Sequence, residues 1–466
     1  MGEKNMFMMK ELEGDLLTPV LIYEKLPGKK KFILESSLKH ETSGRFSFIG
    51  SNPAFELKGF GDKSYIVHDN KEEFIAEPPL DVLKTCLPVV EIDEDLPFPF
   101  QGGAIGYAGY ETIRQYENIG DELPDELHIP DVHFLFFENF IVFDHLQQKI
   151  YAVVHSFTKE TTEEELKKRL HSLAADITGD AAVKAREKTQ LSAFKDEETA
   201  EDYCRKVEIC KRHIEAGDIF QVVPSRRLKA SFSGEGFSYY RHLRTANPSP
   251  YMYFLDFADY AIAGTSPESL IKTSGRMVTG NPIAGTRPRG KTTEHDKELE
   301  KDLLADEKEL AEHRMLVDLC RNDIGRVSEF GSVRVKRYLQ VERYTHVMHL
   351  VSEVEGKLKD GITAADALIV SLPAGTVTGA PKIRAMEIIN ELEKTKRGVY
   401  SGAIGYISTN GNSDFALAIR TMILKDNTAY IQAGAGVVYD SVPQKEYEET
   451  NQKLKFFLED SYDLTH

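Results

Sequence analysis

Between residues 17 and 157 apolar and polar positions alternate in short runs punctuated by turn residues. Lys-Phe-Ile-Leu-Glu-Ser at 31–36, Arg-Phe-Ser-Phe-Ile-Gly at 45–50, and the runs 134–143 and 150–154 carry a period of two, which predicts strands. A charged stretch at 158–197 follows, rich in Glu and Lys and poor in large apolar residues. It predicts a helix plus an exposed connection, separating an N-terminal domain (15–157) from a C-terminal one (198–457). From residue 199 the apolar spacing changes. Helices are expected over 199–216, 295–320, 380–393 and 444–459, and strands over 251–256, 261–264, 401–408, 416–424 and 428–432. There is no strict βαβ repetition, no GxGxxG and no internal repeat, so a dinucleotide fold is not expected. The pattern predicts an α+β protein built on antiparallel sheets with helices outside.

At 466 residues the chain can bury a sizeable core, and 41% hydrophobic with 29% charged residues is the balance of a soluble globular protein. A formal net charge of -17 argues against a nucleic-acid partner, because phosphate binding needs a basic surface. No window reaches the roughly 18 apolar residues of a membrane helix. The opening residues, Met-Gly-Glu-Lys-Asn-Met-Phe, lack the apolar stretch of a signal peptide. Cys86, Cys204, Cys210 and Cys320 form no CxxC pair and no metal-ligand spacing, and read as reduced thiols of a cytoplasmic protein.

The candidate chemistry is weak residue by residue. Glu309 with Glu312, and Glu446 with Glu449, are spaced i, i+3, which on a helix puts each pair on one face. Taken alone, such a pair is a solvated charged face. Ser-Pro-Glu at 266–268 ends a strand and reads as a turn or helix start. His349, within Thr-His-Val-Met-His at 345–349, reads as a core histidine, and Gly434-Ala435-Gly436 as a turn.

Order changes the weighing. Thr-Val-Thr-Gly-Ala-Pro-Lys-Ile-Arg-Ala-Met-Glu at 376–387 leads into Arg-Gly-Val-Tyr-Ser-Gly-Ala-Ile-Gly-Tyr at 397–406. With Pro-Ile-Ala-Gly-Thr at 282–286, Gln-Ala-Gly-Ala-Gly at 432–436 and Tyr-Glu-Glu-Thr at 447–450, the chain resembles the chorismate-utilising enzymes. Within them it is most similar to the anthranilate synthase component I family, strongly over 200–455 and more loosely over 15–150. The resemblance implies a two-lobed sandwich of antiparallel sheets with helices outside. Its catalytic domain would span 198–457, and its N-terminal domain would carry a feedback site.

The resemblance also implies roles. Glu312 and Glu449 would be direct ligands of magnesium, which favours carboxylate, water and substrate oxygens. Glu309 and Glu446 would hold water or orient those ligands. Like charges gathered in one pocket are costly without such a cation. Glu268 would be the general acid that protonates a departing C4 hydroxyl, with His349 near it. Gly285 and Thr286 would grip a carboxylate. Tyr400 and Arg420 would contact the enolpyruvyl carboxylate, and the amides of Gly434, Ala435 and Gly436 would face an anion. Lys453, four residues after Glu449, would pair with the ring carboxylate.

Gln221 separates members of the superfamily. Isochorismate and salicylate synthases carry a water-activating Lys there, and glutamine has no basic nitrogen. Ammonia is then the expected nucleophile, supplied by a glutaminase on a separate chain, since no Gly-x-Cys-x-Gly occurs here. Many aminodeoxychorismate synthases carry a nucleophilic Lys at the position of Ala284. Ala284 favours anthranilate, although some of those enzymes also have Ala, and that alternative stays open. An inactive scaffold subunit would be expected to lack Glu268, Glu312 or Glu449, and all three are present. Glu35 and Ser36, with Pro250, Tyr251 and Met252, resemble a tryptophan feedback site that Ile404 and Tyr406 would complete. The chain itself has no tryptophan, which suits an enzyme needed when tryptophan is scarce.

Overall fold

The computed structural model of the chain describes residues 7–13, 16–37, 44–69, 71–87, 96–158, 160–179, 189–343, 347–459 and 463–464. The period-two segments pair into two large sheets in which every ladder among the described residues is antiparallel. The first sheet has 13 strands. At its centre the order is Asn139–Asp144, Phe46–Gly50, Phe32–Glu35, Tyr251–Asp256, Tyr260–Ser266, Thr421–Lys425, Thr428–Gly434, Ser225–Ser233. The second has 12 strands, running centrally Val347–Lys357, Met277–Gly280, Ser269–Ser274, Ser413–Leu417, Ala403–Ser408, Gly103–Ala108, Val132–Phe137, Phe55–Phe60.

Each sheet draws strands from both sides of the charged stretch. Leu34 pairs with Tyr253 in the first sheet, and Gly106 with Gly405 in the second. The inner faces meet over an aromatic core. Phe32, Phe140, Tyr253 and Ile262 of one sheet pack with Ile105, Phe137 and Ile404 of the other, all buried. Full burial of each such side chain contributes about 1.5–3 kcal/mol. A polar seam crosses this core: Tyr260 Oη lies 2.8 Å from Tyr107 Oη and 2.7 Å from His133 Nδ1, and His133 Nε2 lies 3.0 Å from Glu56. Burial pushes the His133 imidazolium down to about 4, so the charge facing Glu56 at neutral pH comes from its ion pair with Lys30.

Helices cover the outer faces. Pro19–Lys25, Glu163–Thr178, Gly236–Ala246 and Pro443–Glu459 pack on the first sheet, and Pro79–Cys86, Glu307–Val327 and Ala364–Ser371 on the second. Thr162, Thr199 and Thr363 start three of the helices with reciprocal capping boxes. Among the described residues no helix is long and apolar enough to cross a membrane.

The chain departs from the sequence-based expectation in three places. The expected helix 295–320 is two, Thr293–Ala305 and Glu307–Val327, because the Asp306 carboxylate accepts from the N–H groups of Lys308 and Glu309 and caps the second. The expected strand 416–424 is also two: Ser413–Leu417 lies in the second sheet and Thr421–Lys425 in the first. The run 134–143 changes sheet in the same way at Glu138. In the charged stretch the helix is Glu163–Thr178, and residues 180–188 lie outside the described ones.

Candidate active site

Two crossings of the chain between the sheets lie side by side. One, 267–268, links Tyr260–Ser266 to Ser269–Ser274; the other, 418–420, links Ser413–Leu417 to Thr421–Lys425. They are stitched together: Leu417 N–H donates to the Glu268 carbonyl at 3.0 Å, Thr265 N–H to the Arg420 carbonyl at 3.2 Å, and Ser266 Oγ to the Leu417 carbonyl at 2.7 Å. Glu268 and Arg420 therefore stand on adjacent connections. Arg420 holds a left-handed backbone (φ +49°), a conformation that costs on the order of 1–3 kcal/mol and collects at functional sites. Both line a cavity of about 640 Å³, large enough for a compact polar metabolite.

Burial pushes the Glu268 carboxyl up to about 7, against the pull of a hydrogen bond from Thr376 Oγ1 (2.8 Å) and the charges of Lys453 and Arg420. A carboxyl in that range holds its proton near neutrality, as a general acid must. His349 lines the same cavity and pairs in register with Thr286; its Nδ1 lies 3.0 Å from Thr286 Oγ1 and 3.2 Å from the Gly285 carbonyl. Burial lowers the His349 pKa, so the ring is neutral. Gly285 has φ +73°, and a Cβ there would come within 3.3 Å of Glu309 Oε2. Of the motif 345–349, Thr345 and His346 lie outside the described residues.

One wall of the cavity is acidic. Glu309 and Glu312 come from the helix Glu307–Val327, Glu446 and Glu449 from Pro443–Glu459, and all four line the cavity. Burial and then the charges of Glu309 and Glu449 raise the Glu312 carboxyl; burial, and more weakly Glu449, raise Glu446. Among the described residues no three His, Cys, Asp or Glu side chains converge on one point. Two carboxylates, completed by water and substrate oxygens, are a set magnesium commonly takes, and like charges crowded into a buried wall are what a hard divalent cation relieves.

Gln221 Nε2 donates to Glu312 Oε1 at 3.3 Å, while its Oε1 is buried without a hydrogen-bond partner. A side chain on Gly436 would strike Gln221 Nε2 at 2.6 Å, so that glycine lets the amide reach Glu312. Lys453 Nζ donates to the Gly434 carbonyl at 2.8 Å and pairs with Glu449 at 2.9 Å. Gly434 and Gly436 line the cavity. Ala435 does not: its N–H donates to Tyr203 Oη at 3.2 Å, so the expected row of three anion-facing amides is not formed.

Three supporting residues carry no periodic signature in the sequence. Thr376 holds Glu268. Arg287 ties Glu309 (3.4 Å) to Asp302 and Asp306 (both 2.7 Å). Arg397, buried beneath Tyr400 with its guanidinium 5.5 Å from the ring centre, pairs with Glu393 at 2.6 Å and donates to the carbonyls of Val377 and Val223.

A second cavity, of about 360 Å³, opens between the sheets and is lined by Glu35, Ser36, Pro250, Tyr251, Met252 and Tyr406, with Ile404. The Glu35 carboxylate already accepts from Arg244 Nε (2.8 Å), Arg244 Nη2 (2.7 Å) and Tyr240 Oη (2.7 Å), which leaves about one of its four acceptor positions.

Residues 30–459 match the family model described as chorismate binding enzyme. Anthranilate synthase component 1 of Lactococcus lactis subsp. lactis (strain IL1403) is 46% identical over 456 residues, covering 97% of this chain and 98% of its own. The Acetivibrio thermocellus protein of the same name is 46% identical over 463 residues, covering 96% and 93%. The crystal structure of anthranilate synthase component I from Streptococcus pneumoniae TIGR4 aligns with a TM-score of 0.82 at 46% identity, over 95% of this chain and 98% of that one. MenF, the menaquinone-specific isochorismate synthase from Escherichia coli, shares the fold at 17% identity and a TM-score of 0.73, over 98% and 95%. The matched region contains the cavity and nearly all of both sheets, and the relatives agree end to end: the chain belongs to the chorismate binding enzyme family.

Proposed function

We propose that the chain is the chorismate-binding component of a two-component anthranilate synthase, joining ammonia to C2 of chorismate and releasing anthranilate and pyruvate. The observation that carries this reading is Gln221, hydrogen-bonded to Glu312 in the cavity wall where water-using relatives place a lysine. An amide cannot deprotonate water, so the nucleophile is ammonia. Ala284 lines the same cavity and offers no nucleophile, which favours this product over the 4-amino product of the folate branch.

The residues divide the work. Arg420 and Tyr400 hold the enolpyruvyl carboxylate, while Thr286 and the backbone of Gly285 grip the substrate beside His349. Glu268 donates its proton to the C4 hydroxyl, which leaves as water. Glu312 and Glu449 would hold Mg²⁺, with Glu309 and Glu446 orienting them. The bound cation supplies a clamp for the ring carboxylate and neutralises the acidic wall. Lys453 adds a further positive charge there. Free ammonia is scarce at neutral pH, so a glutaminase subunit supplies it in a heterodimer or heterotetramer. The second cavity takes tryptophan as feedback effector, with Ser36 and the remaining acceptor position of Glu35 toward its amino group and Pro250, Tyr251 and Met252 against the indole. The setting is cytoplasmic.

The test is direct. Purified protein with chorismate, Mg²⁺ and ammonium, and no added lyase, should give fluorescent anthranilate and an equal amount of pyruvate. A 4-amino product without pyruvate would move the chain to the folate branch, and isochorismate or salicylate would overturn the role of Gln221.

A further inference from the structure

Glu268 faces two cavities. Besides the substrate cavity it lines a smaller one of about 60 Å³, and Glu268, Leu316 and Thr376 form the partition common to both. The smaller cavity has mixed walls, in which Asn281, Ser371 and Asp323 stand among apolar Ile271, Leu319 and Ile324. A buried water needs roughly 10–15 Å³ of such space and two to four polar neighbours, so this one has room for a short chain of waters. Its titratable lining groups are Glu268, Cys320 and Asp323. Burial pushes the Cys320 thiol up to about 12, which excludes it as a proton carrier near neutrality. Asp323 pairs with Lys382 at 2.7 Å, with the two side chains 13% and 12% exposed, so the pair is within reach of solvent. Arg326, on the same helix, adds a second positive charge near Asp323. Around Glu268 stand Thr376, Lys453 and Arg420.

We propose that the cavity behind Glu268 is a water-filled passage through which Glu268 regains its proton from solvent, with Asp323 as the relay group on its helical wall. When the C4–O bond breaks, its electron pair goes to oxygen, which takes the Glu268 proton and leaves as water. Glu268 remains as a carboxylate. The new C–N bond leaves a positive nitrogen that releases one proton on the substrate side, and Glu268 takes up one proton from the back, so protons balance over the step. A bound ring would close the front of Glu268 to solvent, whereas the back cavity lies outside the substrate cavity. This inference rests on the acid role proposed for Glu268.

Reprotonation follows chemistry, so its loss appears in kcat and not in kcat/KM. Asp323→Asn should lower kcat about tenfold, with KM for chorismate falling in proportion and kcat/KM retained. Asp323→Glu should restore kcat, and the solvent deuterium isotope effect on kcat should rise in the Asn variant. Cys320→Met narrows the passage without touching the Asp323–Lys382 pair; it should give the same kcat-only loss and decides the matter if Asp323→Asn does not fold. Unchanged kcat in both variants would overturn the passage, as would equal losses in kcat and kcat/KM. Glu268→Gln, run in parallel, separates the two ideas: if it kept wild-type turnover the acid role itself would be wrong, whatever the Asp323 variants did.

Discussion

Thr376 Oγ1 donates to Glu268 Oε1 at 2.8 Å, which fixes one carboxyl oxygen as an acceptor and leaves the acid proton to the other. This hydrogen bond also pulls the Glu268 pKa down, against the larger effect of burial. Thr376→Val should therefore move the alkaline limb of kcat/KM to higher pH while lowering the plateau about tenfold through lost orientation. A pH–rate profile of the variant checks both. An unchanged limb would mean that the threonine does not act on the acid.

The wild-type limb has a definite sign. As the proposed general acid, Glu268 must carry its proton to act, and burial raises its pKa to about 7, so kcat/KM should be full below that pH and fall as pH rises through it. Glu268→Gln should abolish this limb and reduce turnover about 10²–10⁴-fold. The measurement is the same profile with ammonia held constant as free base.

Glu312→Gln and Glu449→Gln remove one carboxylate each from the acidic wall. Each should weaken divalent-cation binding, read independently of turnover by Mn²⁺ titration followed by electron paramagnetic resonance, by more than tenfold. Wild-type Mn²⁺ affinity in either variant would remove that residue from the metal site.

Ser36→Ala deletes a hydroxyl from the lining of the smaller inter-sheet cavity that faces Tyr251 and Tyr406. Tryptophan should then inhibit about tenfold more weakly, the equivalent of one lost hydrogen bond, with uninhibited kcat unchanged. Calorimetric titration with tryptophan measures the same loss without turnover.

Arg397→Met leaves the buried Glu393 carboxylate with Ser225 but without the cation it pairs with, and should cost about 3–5 kcal/mol of stability in urea unfolding. Arg397 holds the Glu393 carboxyl below the ordinary glutamate range despite burial. In the wild type that contribution is present above the unfolded pKa and lost as pH falls through the folded one. The variant should lose this acid sensitivity.

Much of this was legible in the residues. Alternation placed Phe32–Glu35 and Phe46–Gly50, and the i, i+3 glutamates do share helix faces turned to one cavity. What periodicity cannot reveal is where a strand changes sheet. Residues 416–424 read as one apolar run because both halves are buried on their own sheets, and only the left-handed Arg420 between them marks the crossing. Asp306 was a readable signal, an acid ahead of Glu-Lys-Glu, hidden by the unbroken helical spacing around it. Thr376, Arg287 and Arg397 act largely through partners distant in sequence, such as Glu268 for Thr376 across 108 positions, and no local pattern encodes those.

The interleaving of strands bears on how this chain can be cut or rebuilt. Separating the chain into two pieces between Thr178 and Thr189 would strip Phe32–Glu35 from Tyr251–Asp256 and Gly103–Ala108 from Ala403–Ser408. Each fragment would present two newly unpaired apolar edges, an arrangement prone to self-association. Neither half is a transferable module. A fusion or domain-exchange design in this protein has to carry both segments together, and a nick at that connection can be tolerated only while the two pieces stay clasped through their shared ladders.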